Sequence, residues 1–313
     1  MGVKDSNVLT DVVVVGGGPA GLNAALVLGR ARRRVVIIDE EIPRNRVTHE
    51  SHGFLTRDGI SPQEFRRIAK EQISKYPSVS FESGIVSSVT GSYGGEFHVT
   101  TESGRMVRTG KVLFATGMKD VLPDIEGLTE VYGTSAFVCP FCDGWELRDK
   151  QICVIGTNEM VLHLVKLIRG WTNRITLLTN GSQFLTADHF ADLERHNVAT
   201  SQDTIKQIES SQGLVQRITL KTGAAIDCEG IFFTPKLVQA NSIPASLGCE
   251  VSENGPFSTI VTDPMGRTNI PGVYSAGDAS SSAHQLITAA SSGAIAACII
   301  QLDLLDEEWK SSH

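Results

Sequence analysis

"DVVVVGGGPAGLNAALVLGRARRRVVIIDEE", Asp11 to Glu41, decides the fold. Four consecutive valines, Val12 to Val15, make an apolar run without polar alternation, the pattern of a strand buried on both faces. Gly16, Gly18 and Gly21 follow as G-x-G-x-x-G, and the pattern predicts a helix over Pro19–Arg30. A second apolar strand, Val35–Ile38, then runs into Asp39, 23 positions after Gly16. Each part serves a dinucleotide. Gly16 permits a tight turn, Gly18 lets backbone approach a pyrophosphate, and Gly21 lets helix and strand pack closely. The helix N-terminus faces the phosphates, and Asp39 is placed for a ribose hydroxyl. NAD and FAD both fit this fingerprint.

Outward from that unit, residues 42–60 read as loop, and a helix is expected over Pro62–Lys75 with Ser61 as its N-cap. Short strands follow near Val79–Phe81, Ile85–Val89, Glu96–Thr100 and Val107–Phe114, ending on "ATG", Ala115 to Gly117. The pattern then restarts. "QICVIGTNEMVLHLVKLIRGWTNRITLLTNG", Gln151 to Gly181, is a second strand–turn–helix–strand unit, a degraded echo of the first. "GVYSAGDAS", Gly272 to Ser280, precedes a final helix expected from about Gln285 to Leu302. An Asp shortly after a strand and before a long helix can reach a flavin's ribityl chain, which favours FAD. The expected fold is α/β, with two Rossmann-like, three-layer ββα domains. Residues 1–118 and 245–313 form the FAD-binding domain, and 119–244 are inserted into it.

Composition narrows the function. The chain has 313 residues, 41% hydrophobic and 20% charged, enough for two domains with real cores. Lys and Arg total 28 against 35 Asp and Glu, a formal charge of −7, so a nucleic-acid surface is not expected. The one dense basic run, Arg30 to Arg34, reads as cations at a helix C-terminus. No apolar stretch approaches the roughly 18 residues of a membrane span. No signal peptide is read at the start, and the cytoplasm is the expected location.

Of six cysteines, only Cys139 and Cys142 are closely spaced, in "CPFCDG". A structural zinc site needs four ligands, typically a second close pair, and none is present; no metal is expected. Buried bystanders remain the bland alternative. A redox pair is the chemical one: a CxxC turn brings two sulfurs within bonding reach, and exposed backbone N–H groups there lower a thiolate's pKa. Pro140 and Phe141 would stiffen the loop and shield one sulfur. Asp143 is placed to shuttle a proton as the pair opens and closes. The other four cysteines read as core residues.

"GGGPAGLNAA", "ATG", "CPFCDG", "GVYSAGDAS" and "HQLITAASSGAIAA" occur in the order of the low-molecular-weight thioredoxin reductase family, and over nearly its whole length the chain resembles those flavoproteins. The resemblance implies FAD held by Gly16, Gly18, Gly21, Asp39, Gly117, Gly277 and Asp278. Pro19, Ala20, Glu40, Val86 and Thr116 complete that expected set, and the Gln285–Leu286 backbone lies against the isoalloxazine. It implies a homodimer, with Cys142 meeting the flavin, Cys139 exchanging with substrate and Asp143 carrying the proton. The partner is then a small dithiol or a thioredoxin-like protein.

The chain departs from that family at the second nucleotide turn, "GTNEMV", Gly156 to Val161. Asn158 and Val161 stand where the second and third glycines belong, and Glu159 adds negative charge where phosphate would bind. The stretch "TNGSQF", Thr179 to Phe184, lacks the paired arginines that clamp a 2′-phosphate, and Arg174 lies before the strand. NADPH is therefore not expected as the usual donor. The readings are a dithiol oxidase that uses O2 and makes hydrogen peroxide, or, as the alternative, a thioredoxin reductase fed by a one-electron carrier such as ferredoxin or by NADPH bound in an unusual way. A flavin-binding redox sensor is a further reading. "CPFCDGWE" and "RNRVTHESHGFLTRDG", Arg44 to Gly59, are similar to the oxidases that close disulfides in gliotoxin- and holomycin-type natural products. Asn45 is the candidate flavin contact there. His49 and His52 are candidates to line a substrate cleft, and equally for surface or packing positions. His284 either takes a thiol proton and steadies reduced flavin, or hydrogen-bonds backbone at the helix start.

Overall fold

A computed structural model describes residues 9–253 and 257–311. The valine run forms the strand Thr10–Val15. Side chains alternate across a strand, so Val12 and Val14 enter one core and Val13 and Val15 another. The first core lies under the helices Pro19–Arg30 and Leu286–Ser311; the second lies under an antiparallel pair, Val86–Gly91 and Phe97–Thr101. The sheet between them runs Val79–Ser83, Val35–Asp39, Thr10–Val15, Met106–Phe114, with Val273–Ser275 also on the last of these. All four of those pairings are parallel. Met106–Phe114 is long enough to pair parallel with Thr10–Val15 and antiparallel with Phe97–Thr101, which joins the layers.

The restart in the sequence builds a second parallel sheet, Ala199–Ser201, Ile175–Leu178, Ile152–Ile155, Gly230–Phe233, Ala136–Phe137. The same alternation sends Cys153 and Ile155 to one core and Ile152 and Val154 to the other. Three antiparallel strands, Ile205–Ser211, Leu214–Leu220 and Ala225–Asp227, cover the first of these cores. The architecture is the two-domain Rossmann-like fold expected.

One compact unit comprises the chain up to Arg46, Gln63–Lys119 and the chain from Leu237 onward; the other comprises Val47–Pro62 and Asp120–Lys236. These boundaries differ from those read in the sequence, 118/119 and 244/245. Residues 237–244 join the first unit because the Gln239 amide donates to the carbonyls of Ser258 and Ala279, and Ala240 N–H to that of Gly117. Residues 47–62 join the second because they fold onto it. A Cβ on Gly133 would lie 2.3 Å from the Val47 carbonyl oxygen, so only glycine admits that approach.

The last helix runs about two and a half turns beyond its expected end, to Ser311. Its acidic tail is held by long-range partners: Arg33 by Gln301 and Glu308, Lys111 by Glu307, and Arg267 and Tyr274 by Asp303. This also corrects the reading of the basic run. Arg30 ends its helix, but Arg33 is a buried anchor for the last helix and Arg34 pairs with Asp11. Leu286–Ser311 is long and apolar enough by length and composition to cross a membrane, a test that core helices also pass. Its small residues Ala289, Gly293, Ala296 and Ala297 are buried in the first unit, and a Cβ on Gly293 would meet the Ala20 carbonyl oxygen at 2.0 Å.

Candidate active site

In the first unit, Gly16, Gly18, Gly21, Asp39, Thr116 and Gly277 lie around one helix N-terminus. Gly16 adopts φ 105°, open to glycine, and a Cβ there would lie 2.4 Å from the Ala115 carbonyl oxygen, beside Thr116. Gly21 packs so that a Cβ would meet the Gly16 carbonyl oxygen at 2.0 Å. Gly18 is different: a Cβ there meets nothing within 4 Å. Pro19 opens the helix, no side chain caps it, and no acid lies in its first turn. Its N-terminal donors are thus left facing an open approach, the condition for an anion.

Around this turn, Gly277, at φ 78°, abuts Ala20, and its N–H donates to the Ser292 hydroxyl oxygen at 2.9 Å. Gly117, at φ 67°, follows Thr116 at the sheet's C-terminal edge. Asp39 accepts from Gly17 N–H at 2.9 Å, and Glu40 follows it, half-buried. Asp278 lies 3.5 Å from the Arg44 guanidinium, which brings the turn Arg44–Val47, and Asn45 with it, to the 277–280 turn. Val86 is buried at the start of its strand. Gln285 N–H is bonded to the Thr288 hydroxyl, immediately before Leu286 opens the long helix. An uncapped helix start, an open Gly18 and a ribose-side carboxylate fit FAD.

Two arginines were not found from the sequence. Arg66, 27 residues after Asp39, pairs with its second oxygen, and Arg44 pairs with Asp278. No spacing rule connects either to its partner; only the fold does.

The dithiol lies in the second unit. Cys139 is extended and precedes a single helical turn, Pro140–Asp143, whose N–H groups at Cys142 and Asp143 both donate to the Cys139 carbonyl at 3.1 Å. This closes the CxxC and sets the two sulfurs 2.7 Å apart. A Cβ on Gly144 would strike the Pro140 carbonyl oxygen and the Trp171 ring, so the turn is clamped from behind. Phe141 is 63% exposed, its ring in a T-shaped contact with that of Trp171 at 5.7 Å between centroids, and Trp145 is 64% exposed.

Asp143 is pushed up to about 7, first by burial, then by Cys139 and Glu146, with His52 acting the other way. A carboxyl that changes state near neutrality can both take and return a thiol proton there. His284 lies in the first unit, its Nε2 2.9 Å from the Ser281 carbonyl oxygen and its ring 4.9 Å from that of Phe257.

The second nucleotide turn is built differently from the first. Asn158 Oδ1 accepts from Met160 N–H at 3.0 Å, the donor at the start of the helix Met160–Ile168. The buried Val161 fills the space over Gly156, where a Cβ would lie 2.6 Å from it. Arg174 pairs with Glu229 at 3.8 Å.

The sequence pattern of the pyridine nucleotide-disulphide oxidoreductase family matches residues 10–294, and the chain belongs to that family. It is 32% identical over 298 residues to a probable thioredoxin reductase of Arthroderma benhamiae, covering 86% of this chain and 74% of the relative. The crystal structure of a putative thioredoxin reductase TrxB from Bacillus anthracis is 38% identical, covers 96% of this chain and 99% of its own, and superposes with a TM-score of 0.91. The crystal structure of HlmI is 33% identical, covers 97% and 95%, and superposes with a TM-score of 0.92. The chain is an FAD-dependent, thioredoxin reductase-like disulfide oxidoreductase.

Proposed function

We propose that the chain is a dithiol oxidase: a substrate dithiol becomes a disulfide, O2 becomes hydrogen peroxide, and NADPH takes no part. The observation that carries this reading is the second nucleotide turn, where Asn158 occupies the Met160 N–H and Val161 occupies the space over Gly156. A pyrophosphate needs both the donor and the close approach. The negative charge of Glu159 at the same helix start works against phosphate as well.

Starting from the closed Cys139–Cys142 disulfide, a substrate thiol gives its proton to the Asp143 carboxylate and attacks Cys139 Sγ. The Cys139–Cys142 bond breaks, and Cys142 leaves as a thiolate and takes the proton back from Asp143. The second substrate thiol then loses its proton and displaces Cys139, which takes a proton in turn. Two electrons and two protons have passed from substrate to the cysteines. Bound FAD supplies the two-electron chemistry that links these cysteines to an acceptor.

A thioredoxin reductase is the second reading, favoured by the names of the relatives and by the exposed Phe141 and Trp145 beside the CxxC. A one-electron carrier would then be the donor. The family resemblance also favours a homodimer, for which Ile295, Leu302, Leu305 and Trp309, exposed along the last helix, offer an apolar stripe.

In air, the holoprotein supplied with dithiothreitol is expected to form one hydrogen peroxide per disulfide, and to consume NADPH only at background. Measuring peroxide, disulfide and NADPH absorbance together checks this. NADPH consumption at the rate of dithiol turnover overturns it.

A further inference from the structure

The loop 47–62 holds a second group of ionisable side chains against the dithiol segment, within the same unit. The loop is closed on itself. Ser51 N–H donates to the Ile60 carbonyl at 2.8 Å, Gly59 N–H to that of Ser51 at 3.0 Å, and Gly53 N–H to Asp58 Oδ1 at 2.8 Å. His52 sits inside this closure, with 18% of its side chain exposed. Its Nδ1 lies 3.6 Å from Asp58 Oδ1, and its Nε2 lies 3.6 Å from Glu50 Oε2 and 3.8 Å from Glu146 Oε1. Glu146 is on the CxxC segment, three residues after Asp143. The imidazole thus joins the loop to the chain that carries the proton-transfer carboxyl.

We propose that His52 is a positioning residue for proton transfer at the dithiol: set between Glu50, Asp58 and Glu146, its imidazole ties the loop to the CxxC segment and, when protonated, favours the Asp143 carboxylate. This rests on the reading that substrate thiols enter through Cys139 and Cys142. Burial, Cys139 and Glu146 push Asp143 up, and His52 from the loop acts the other way. A cation favours the carboxylate and an anion disfavours it. Asp143 must be a carboxylate to accept the substrate's thiol proton, so activity rises with pH through its ionisation. Removing the cation moves that rise to higher pH, and removing the Glu146 anion moves it to lower pH.

The opposed signs make the test specific. The rate at which dithiothreitol bleaches the flavin of the holoprotein without oxygen is measured from pH 5.5 to 9. In His52→Gln the acid limb is expected to move up by about half a pH unit or more, and in Glu146→Gln to move down by a similar amount. His52→Lys, which keeps a cation, returns the limb toward the wild type. The carbon-13 carboxyl resonance of Asp143, a readout independent of turnover, follows the same order. Packing damage would slow each variant without moving the limbs in opposite directions. If the wild type bleaches but the limbs stay in place or move together, His52 has no such role. If dithiothreitol does not bleach the wild type at all, the dithiol reading fails and this proposal fails with it.

Discussion

Cys142→Ser retains bound FAD and loses dithiol-driven flavin reduction, with a rate lower by about three orders of magnitude or more. A serine oxygen cannot form or accept the bond that Cys142 makes with Cys139, so no disulfide exists for a substrate thiol to open. The cofactor stays because its cradle is built elsewhere. Gly16, Gly18, Gly21, Asp39 and Gly277 lie in the first unit, and both sulfurs lie in the second. Flavin absorbance after gel filtration, set beside the anaerobic bleaching rate, separates the two outcomes. A variant that purifies colourless would mean that Cys142 is structural.

Gly18→Ala and Gly21→Ala are expected to fail in different ways. A Cβ on Gly18 meets nothing within 4 Å, and its φ of −77° suits any residue, so the apoprotein keeps its stability. The methyl group nevertheless stands where a pyrophosphate approaches the backbone, and FAD affinity falls by about 100-fold, or about 2.7 kcal/mol. On Gly21 the Cβ would lie 2.0 Å from the Gly16 carbonyl oxygen, and backbone must move. That overpacking costs about 1–3 kcal/mol of folding stability before any cofactor is considered. Urea unfolding of the apoproteins and FAD titration by fluorescence check both. A Gly18→Ala protein that binds FAD as tightly as the wild type rules out a pyrophosphate at this turn.

What could be read from the sequence was local. The valine run, the glycine turn and Asp39 all lie within one βαβ unit, and Pro19–Arg30 is a helix over the residues expected. The degraded echo was legible because the strands Ile152–Ile155 and Ile175–Leu178 kept their apolar pattern while only the turn between them changed. The unread features are long-range. Arg66 on Asp39, Arg44 on Asp278 and His52 beside Glu146 join residues from 27 to 234 positions apart. Nothing in composition or periodicity marks such pairs. The same holds for the final helix beyond Leu302, where the apolar period gives way to acids whose partners are Arg33, Lys111 and Arg267. The sequence-based boundaries, 1–118 for the first domain, include the loop 47–62. Its own carbonyl at Val47 and its histidine at 52 tie it to residues 133 and 146 instead.

The most direct test of the account is a comparison of electron donors. The oxidised holoprotein is mixed without oxygen with dithiothreitol or with NADPH, and flavin absorbance is followed. The account predicts that the dithiol bleaches the flavin while NADPH leaves it oxidised over the same interval. Bleaching by NADPH at a rate sufficient for turnover would contradict it.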